Sequence, residues 1–201
     1  MDHLLGTPID QAAIDEANKQ HAMYLARPRT GAEGRIKTKE KVLVKFAVRY
    51  NEGAHRLLAN HDPPLAPMLY SCTRVTGNMF MVIMQYVQSS GGASLSTGSL
   101  SPPVLEAVHR DISKALKLLH EQDLVFGDLR ESNVLYLPNE RRAMLVDFDA
   151  VGRHGEDRYS ACLNPKARLG VDRLQIMGKL HDEENLRRLM DRLSEELVYF
   201  V

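Results

Sequence analysis

This sequence of 201 residues has few cysteines, no net charge and no long apolar segment. Its two cysteines, Cys72 and Cys162, are too few and too far apart for a disulfide framework or a four-cysteine zinc site. The 26 basic and 26 acidic residues cancel, which argues against nucleic-acid binding by bulk electrostatics. The longest apolar run, Met79 to Met84, is too short to cross a membrane, and the N-terminus has no secretory pattern. We therefore expect a soluble, intracellular, cytoplasmic protein with no nucleic-acid or membrane partner.

The remaining composition is that of an ordinary globular domain, with 44% hydrophobic and 26% charged residues. The first part of the chain is rich in apolar and β-branched runs, which predict strands. These predicted strands cover 22–26, 42–48, 68–73 and 79–87, and a helix is predicted over 52–60. Gly77-Asn78 suits the turn between the last two strands.

A segment rich in serine and glycine, 88–103, divides this strand-rich part from a second part that begins with a helix. Ser101 can cap that helix, and Pro102 suits its first position. Two short strands and an amphipathic helix over the last twenty residues complete the second part. We expect an N-terminal extension over 1–21, a small lobe over 22–87, the linker 88–103 and a large lobe over 104–201.

The polar residues that flank the short strands of the second part have the spacing that metal-assisted phosphoryl transfer requires. Asp128 precedes Asn133 by five residues, and Asp147 opens a loop after a predicted strand. The first carboxylate can orient the proton of an attacking hydroxyl, while an amide oxygen and a second carboxylate are hard ligands for magnesium. Arg130 could place a positive charge near the transferred phosphate. The pattern predicts Asp128 and Arg130 as catalytic residues and the pair Asn133 and Asp147 as metal ligands.

Several short segments extend this pattern along the chain in a fixed order. They are Val44-Lys45-Phe46, the stretch 50–59, Ala66-Pro67, Met84-Gln85-Tyr86-Val87, Gly127-Asp128-Leu129-Arg130 and Asp147-Phe148-Asp149. In this order they resemble the protein-kinase-like superfamily, and more narrowly the fungal, basidiomycete-type protein-kinase-like proteins. The resemblance extends from about residue 22 to 195 with the motifs in the same order, and it is therefore more specific than a match to any single motif.

The resemblance implies a two-lobed α+β fold, with a truncated small sheet lobe and a shortened, mainly helical large lobe. ATP and Mg²⁺ would bind between the lobes, and the phosphate acceptor would be a hydroxyl, such as that of protein Ser/Thr. Lys45 would bind the α- and β-phosphates, and Glu52 is the candidate partner of this lysine, or else a solvated helix residue. Backbone groups of Gln85 and Val87 would face the adenine. Asp128 would be the catalytic aspartate, and the two predicted metal ligands would keep that role.

The sequence also departs from the family pattern. Phe126 stands where histidine usually opens the catalytic loop, Asp149 replaces the glycine of Asp-Phe-Gly, and Gly53 occupies the place of an expected glutamate. No glycine-rich loop accompanies the first strand, since Gly31 and Gly34 come after it, and no Ala-Pro-Glu follows the metal-binding loop. Two alternatives therefore stay open: a weak or inactive pseudokinase that binds nucleotide or a partner, and a small-molecule kinase of the choline or aminoglycoside type. The oligomeric state is not predicted.

Overall fold

The computed structural model describes residues 22–27, 40–87, 95, 100–160, 172 and 174–195. The predicted N-terminal extension, most of the predicted linker, the two glycines that follow the first strand and Cys162 lie outside the described residues.

Strands come first in the chain and long helices come later. The strands are β1 Ala22–Ala26, β2 Val42–Ala47, β3 Leu69–Val75, β4 Met79–Gln85, β5 Leu124–Val125, β6 Val134–Leu137, β7 Arg142–Leu145 and β8 Gly152–Arg153. The α-helices are α1 Glu52–Ala59, α2 Pro102–Glu121 and α3 Lys179–Glu195, and a 3-10 turn, Glu131–Asn133, precedes β6. Among the described residues, no helix has both the length and the apolar character needed to cross a membrane.

The first four strands form one antiparallel sheet, in the order β1-β2-β4-β3. In its central pair, Lys45 of β2 lies opposite Val82 of β4. Gly77 and Asn78, at the β3–β4 turn, have φ angles of 80° and 58°, in the left-handed region that glycine and asparagine tolerate best. The predicted strands and their turn are confirmed, with ends that shift by up to two residues.

Helix α1 connects the sheet to the rest of the molecule. It begins after Asn51, whose side chain accepts a hydrogen bond from the Ala54 amide at 3.0 Å. Its buried residues are Ala54, His55 and Leu58. Ala54 and Leu58 belong to the same hydrophobic core as the long helices, so this helix packs against the large lobe as well as beside the sheet.

Helix α2 supplies the centre of the main hydrophobic core. Its buried apolar residues recur at helical spacing and are Ala107, Val108, Ile112, Ala115, Leu116 and Leu119. Helix α3 packs against α2 and adds Leu186, Leu189 and Leu193, and each fully buried aliphatic side chain stabilises the fold by roughly 1.5–3 kcal/mol. The helix starts at Pro102 as predicted, but the Ser101 side chain makes no capping hydrogen bond; only its carbonyl accepts from helix amides.

Two short strand pairs frame the loops that carry the polar residues. β6 and β7, the two short strands predicted for the second part, pair as an antiparallel hairpin, and β5 pairs with β8. The Val146 amide donates to the Asn133 carbonyl at 2.9 Å, so the loop after β7 lies against the 3-10 turn before β6. These contacts bring the two predicted polar loops together.

Candidate functional site

Lys45 is a buried cation within the apolar strand β2, with only 3% of its surface exposed. Its Nζ lies 2.9 Å from Asp147 Oδ1 and 2.8 Å from Asp149 Oδ1. Burial of an ammonium group is costly unless opposite charge is close, and these two carboxylates supply it. The structure therefore joins the sheet to the loop after β7 by a lysine held between two aspartates.

Asp147 adopts a backbone conformation that non-glycine residues use rarely, with φ of 70°. Its Oδ1 accepts the Lys45 bond and a longer one from the Asp149 amide at 3.4 Å. Burial acts to raise the pKa of Asp147, but the neighbouring Lys45 ammonium outweighs it and holds the pKa below its ordinary value. The carboxylate is thus ionised at neutral pH, as a ligand for a cation has to be.

Asp128 is the centre of a second cluster, on the loop that precedes the 3-10 turn. Asn133 Nδ2 donates to the Asp128 carbonyl at 2.8 Å and to its Oδ2 at 3.0 Å. Arg130 Nε donates to the same Oδ2 at 3.1 Å. The other oxygen, Oδ1, is buried and has no hydrogen-bond partner among the described residues. One oxygen of the carboxylate is therefore fixed by two donors, and the other has no donor among the described residues.

The environment of Asp128 also sets its protonation. Burial raises its pKa to about 6, although Arg130 and Asn133 favour the charged form. A carboxylate with a pKa close to neutral is well matched to take a proton from a hydroxyl group.

Asp182, near the start of α3, holds the Asp128 loop in place and was not among the residues predicted from the sequence. Its carboxylate accepts hydrogen bonds from the Phe126 amide at 2.7 Å and the Gly127 amide at 3.0 Å, and it is fully buried. His120 Nε2 lies 3.0 Å from the same carboxylate. The sequence shows only an acidic residue in the first turn of an amphipathic helix, which does not reveal its contacts because its partners lie more than fifty residues away.

An aromatic cluster holds the loop after β7 from the side of α1. The Phe148 ring stacks on His55, with centroids 4.6 Å apart and planes 8° apart, and the Asn51 amide donates to the Phe148 carbonyl at 3.1 Å. His55 Nε2 lies 2.7 Å from the Pro67 carbonyl and its Nδ1 lies 2.6 Å from the Tyr50 hydroxyl. Because a carbonyl only accepts, the proton of the neutral ring is on Nε2, and Tyr50 donates to Nδ1.

Glu52 and Lys45 are not brought together. Glu52 Oε1 accepts a bond from Arg56 Nε at 2.7 Å, one helical turn further along α1. The lysine is paired with the two loop aspartates instead. The predicted Glu52–Lys45 pair is thus not formed in this structure.

Gln85 and Val87, predicted to face an adenine, lie at and just after the end of β4. The Gln85 amide donates to the Met68 carbonyl at 2.8 Å, and its side-chain oxygen accepts from the Met68 amide at 3.3 Å. Both contacts tie the end of β4 to the segment before β3, which fixes the backbone around Gln85.

Asn133 and Asp147 fit the chemistry of a magnesium site. Both contribute hard oxygen atoms, and the amide nitrogen of Asn133 is already used toward Asp128, so its oxygen is the atom left to act as a ligand. Within the described ranges, no group of three or more His, Cys, Asp or Glu side chains is arranged to hold a metal ion. One or two protein ligands are usual where magnesium is bound together with phosphates, and these two residues match that number.

Comparison with known proteins identifies the fold. No protein-family model matches the sequence. The solved structure of the kinase PK-1 of the Cydia pomonella granulovirus superposes with a TM-score of 0.64, over 92% of this chain and 72% of the viral chain, at 15% identity. The chain thus has a two-lobed protein-kinase-like fold of the α+β class, with a small sheet lobe and a shortened, mainly helical large lobe, which confirms the predicted fold.

Sequence similarity points to the same superfamily. A Caenorhabditis elegans protein described as a "putative serine/threonine-protein kinase" is 26% identical over 121 residues. This match covers 57% of the present chain and 26% of the nematode protein, so the chain spans about a quarter of the length of that relative. This sequence similarity supports the predicted relation to the protein-kinase-like superfamily.

Proposed function

We propose that this protein is an ATP- and magnesium-dependent phosphotransferase of the protein-kinase-like type, with a hydroxyl acceptor such as a protein serine or threonine. The observation that carries the proposal is the convergence of four side chains from three segments of the chain: strand β2, the loop before β6 and the loop after β7. Lys45 lies 2.9 Å from Asp147, and Asn133 lies 3.0 Å from Asp128. The backbone bond between residues 146 and 133 joins these two pairs into one site.

Each side chain has a chemical role that its surroundings support. Asp128 Oδ1, buried and without a partner among the described residues, accepts or orients the proton of the attacking hydroxyl. Asn133 and Asp147 would hold magnesium, which neutralises charge between the phosphates. Lys45 binds the α- and β-phosphates as a fixed positive charge. Arg130, already 3.1 Å from Asp128, adds positive charge near the transferred phosphate.

The remaining parts of the proposal depend on the family resemblance. Backbone groups of Gln85 and Val87 bind the adenine, and the nucleotide lies between a small lobe over 22–87 and a large lobe over 104–201. The narrower resemblance to fungal protein-kinase-like proteins and the cytoplasmic location belong to this proposal as well.

Thermal unfolding with and without magnesium and ATP tests the nucleotide site. A ligand at about a hundredfold its dissociation constant stabilises by roughly 2.7 kcal/mol, so the unfolding temperature of the wild type should rise visibly. Asp147→Asn should abolish the part of this shift that needs magnesium. Asp191→Asn is the matched control, because Asp191 is exposed on α3 and contacts Arg187, and its shift should equal that of the wild type.

Transfer is then measured directly, with γ-labelled ATP and either a protein mixture or small alcohols as acceptors. Label on protein hydroxyls would support the proposal. Label on small alcohols alone would instead favour the alternative of a small-molecule kinase. Binding without any transfer would favour the pseudokinase alternative. A folded wild type that shows no shift with magnesium and ATP would contradict the proposal.

A further inference from the structure

The charge of Lys45 is shared by two carboxylates of one short loop. Asp149 Oδ1 lies 2.8 Å from Lys45 Nζ and Asp147 Oδ1 lies 2.9 Å from it. The side chain of Asp149 is 14% exposed, against 35% for that of Asp147. Asp149 is therefore the more enclosed of the two partners, and its contact with the lysine is the better shielded from solvent.

The helix beside the lysine does not supply this negative charge. Glu52, the one acidic residue of the first turn of α1, is engaged by Arg56 at 2.7 Å, and its side chain is 43% exposed. The next position is Gly53, which has no side chain. Among the described residues, the ion-pair partners of Lys45 therefore come only from the loop after β7.

The backbone on which Asp149 is placed is held from several sides. The preceding Phe148 stacks on His55, meets the Phe126 ring edge-on with centroids 5.9 Å apart, and accepts the Asn51 amide at its carbonyl. Phe148 is buried, with 1% of its surface exposed. A carboxylate carried by so fixed a segment keeps its place relative to β2, which is what a positioning residue requires.

We propose that Asp149 is the positioning residue of Lys45, and takes the part for which the sequence suggested Glu52. This inference rests on the proposed function of Lys45 as a phosphate ligand. Because two carboxylates contact the same lysine, they can have different roles. Asp147 is available as a metal ligand, while Asp149 keeps the ammonium group of Lys45 in place. The loop thereby carries both the metal ligand and the residue that orients the lysine.

The first test measures the lysine itself, in the absence of nucleotide. The protein is labelled with a limiting amount of acetic anhydride, and modification of Lys45 is quantified by mass spectrometry relative to the exposed Lys114 of α2. Loss of the ion pair in Asp149→Asn should increase labelling of Lys45 several-fold. Glu52→Gln is the matched control and should leave it at the wild-type level.

The labelling outcome decides the inference whether or not the protein binds ATP. Unchanged labelling in Asp149→Asn, or an equal increase in Glu52→Gln, would overturn it. If Asp149→Asn fails to fold, Asp149→Gly, which installs the residue typical of the family at this position, is measured in its place with the same expectation.

The second test uses magnesium and ATP, with the dissociation constant as readout. Asp149→Asn should weaken binding roughly tenfold, which corresponds to about 1.4 kcal/mol, and Asp149→Glu, which keeps the charge, should restore part of it. Glu52→Gln should bind as the wild type does. Equal affinities for Asp149→Asn and the wild type would contradict the positioning role. A wild type that binds no nucleotide would instead contradict the proposed function, and the labelling result would still stand.

Discussion

Asp128 has one oxygen fixed by Arg130 and Asn133 and one buried oxygen without a partner among the described residues. Its pKa of about 6 has a direct consequence for phosphoryl transfer, because only the ionised carboxylate can accept a proton. We expect the transfer rate to be constant above about pH 7 and to fall as the pH drops through 6. A pH–rate profile at saturating ATP measures this directly.

Replacement of the same residue separates its chemistry from ATP binding. Asp128→Asn keeps the shape of the side chain but not its basicity, so we expect a loss of roughly 10²–10⁴-fold in rate with nucleotide affinity little changed. Asp157→Asn is the control, since the Asp157 carboxylate accepts from the Arg153 amide and takes part in none of the contacts of Asp128 described above. A profile that stays flat down to pH 5 would show that Asp128 is not the proton acceptor.

His55 predicts a dependence of stability on pH. Burial lowers its pKa from 6.5 to about 4, so the unfolded chain binds the proton more readily than the folded one between these values. The stability that His55 contributes is complete above pH 6.5 and is lost as the pH falls toward 4, by up to about 3 kcal/mol. Asp128 acts in the opposite sense: its raised pKa makes stability fall as the pH rises from about 4 to 6.

Urea unfolding at pH 7, 6 and 5 measures the pH dependence that His55 contributes and separates it from the opposite contribution of Asp128. Asp128→Asn removes the opposing contribution and should give the steeper loss of stability on acidification. His55→Gln should be less stable than the wild type at pH 7 but should depend less on pH. His154→Gln, at an exposed position, should keep the wild-type dependence. A His55→Gln variant with the full wild-type dependence would show that another group is responsible.

Distance along the chain decides which contacts between site residues could be predicted from the sequence. Asp128 and Asn133 could be predicted because they are five residues apart and share one loop. The Lys45–Asp147 pair spans 102 residues, and only the family resemblance suggested that both residues serve one site. The contacts of Asp182 and Asp149 could not be predicted, because no local pattern tells which buried groups an aspartate will meet after folding.

Glycine at position 127 is required by the loop that carries Asp128. Its φ is +81°, and a Cβ there would lie 2.7 Å from Met177 Cε and 2.9 Å from the Ala150 carbonyl oxygen. Gly155 has a similar φ of +74° but open space around it. We therefore expect Gly155→Ala to cost about 1 kcal/mol from backbone strain alone, and Gly127→Ala about 2–4 kcal/mol because overpacking is added.

Denaturant midpoints of the two variants measure this difference. Both variants carry the strain of a positive φ, so the difference between their free energies of unfolding reports the overpacking at residue 127. A backbone carbonyl cannot turn away as a methionine tip can, so Gly127→Ala should also displace the loop and reduce ATP-dependent transfer. Equal costs for the two substitutions would mean that conformation, and not close packing, determines the need for glycine at 127.

The helices and strands that could be predicted are those whose own sequence carries a regular apolar pattern. The strands of the sheet and the helix α2 carry long, regular apolar patterns, and both are found where predicted. β5 and β8 have two residues each and exist only because the fold brings them side by side. Helix α3 begins at Lys179, a little before the predicted start, and residues 196–201 of the predicted helix lie outside the described residues.

The described residues form three apolar clusters of unequal size, and membership of these clusters does not follow the order of the chain. The sheet has a small cluster of its own, formed by Leu69, Val82 and Met84. Helix α1, though inserted between its strands, contributes Ala54 and Leu58 to the large cluster of α2 and α3. Because buried apolar area dominates stability, we expect the sheet to open at a lower free energy than α1, and α1 to open together with the large lobe.

Native-state hydrogen exchange followed by mass spectrometry tests this division. In the wild type, amides of β2 and β4 should exchange faster than those of α1 and α2. Val82→Ala should accelerate exchange in the sheet alone. Leu119→Ala, which should cost about 2–5 kcal/mol, should accelerate α1 and α2 together. If α1 instead followed the sheet in Val82→Ala, the small lobe would be a single cooperative unit. The hydrogen bond from Asn51 to Phe148 and the stacking of His55 on that ring would then be too weak to couple α1 to the loop of Asp147.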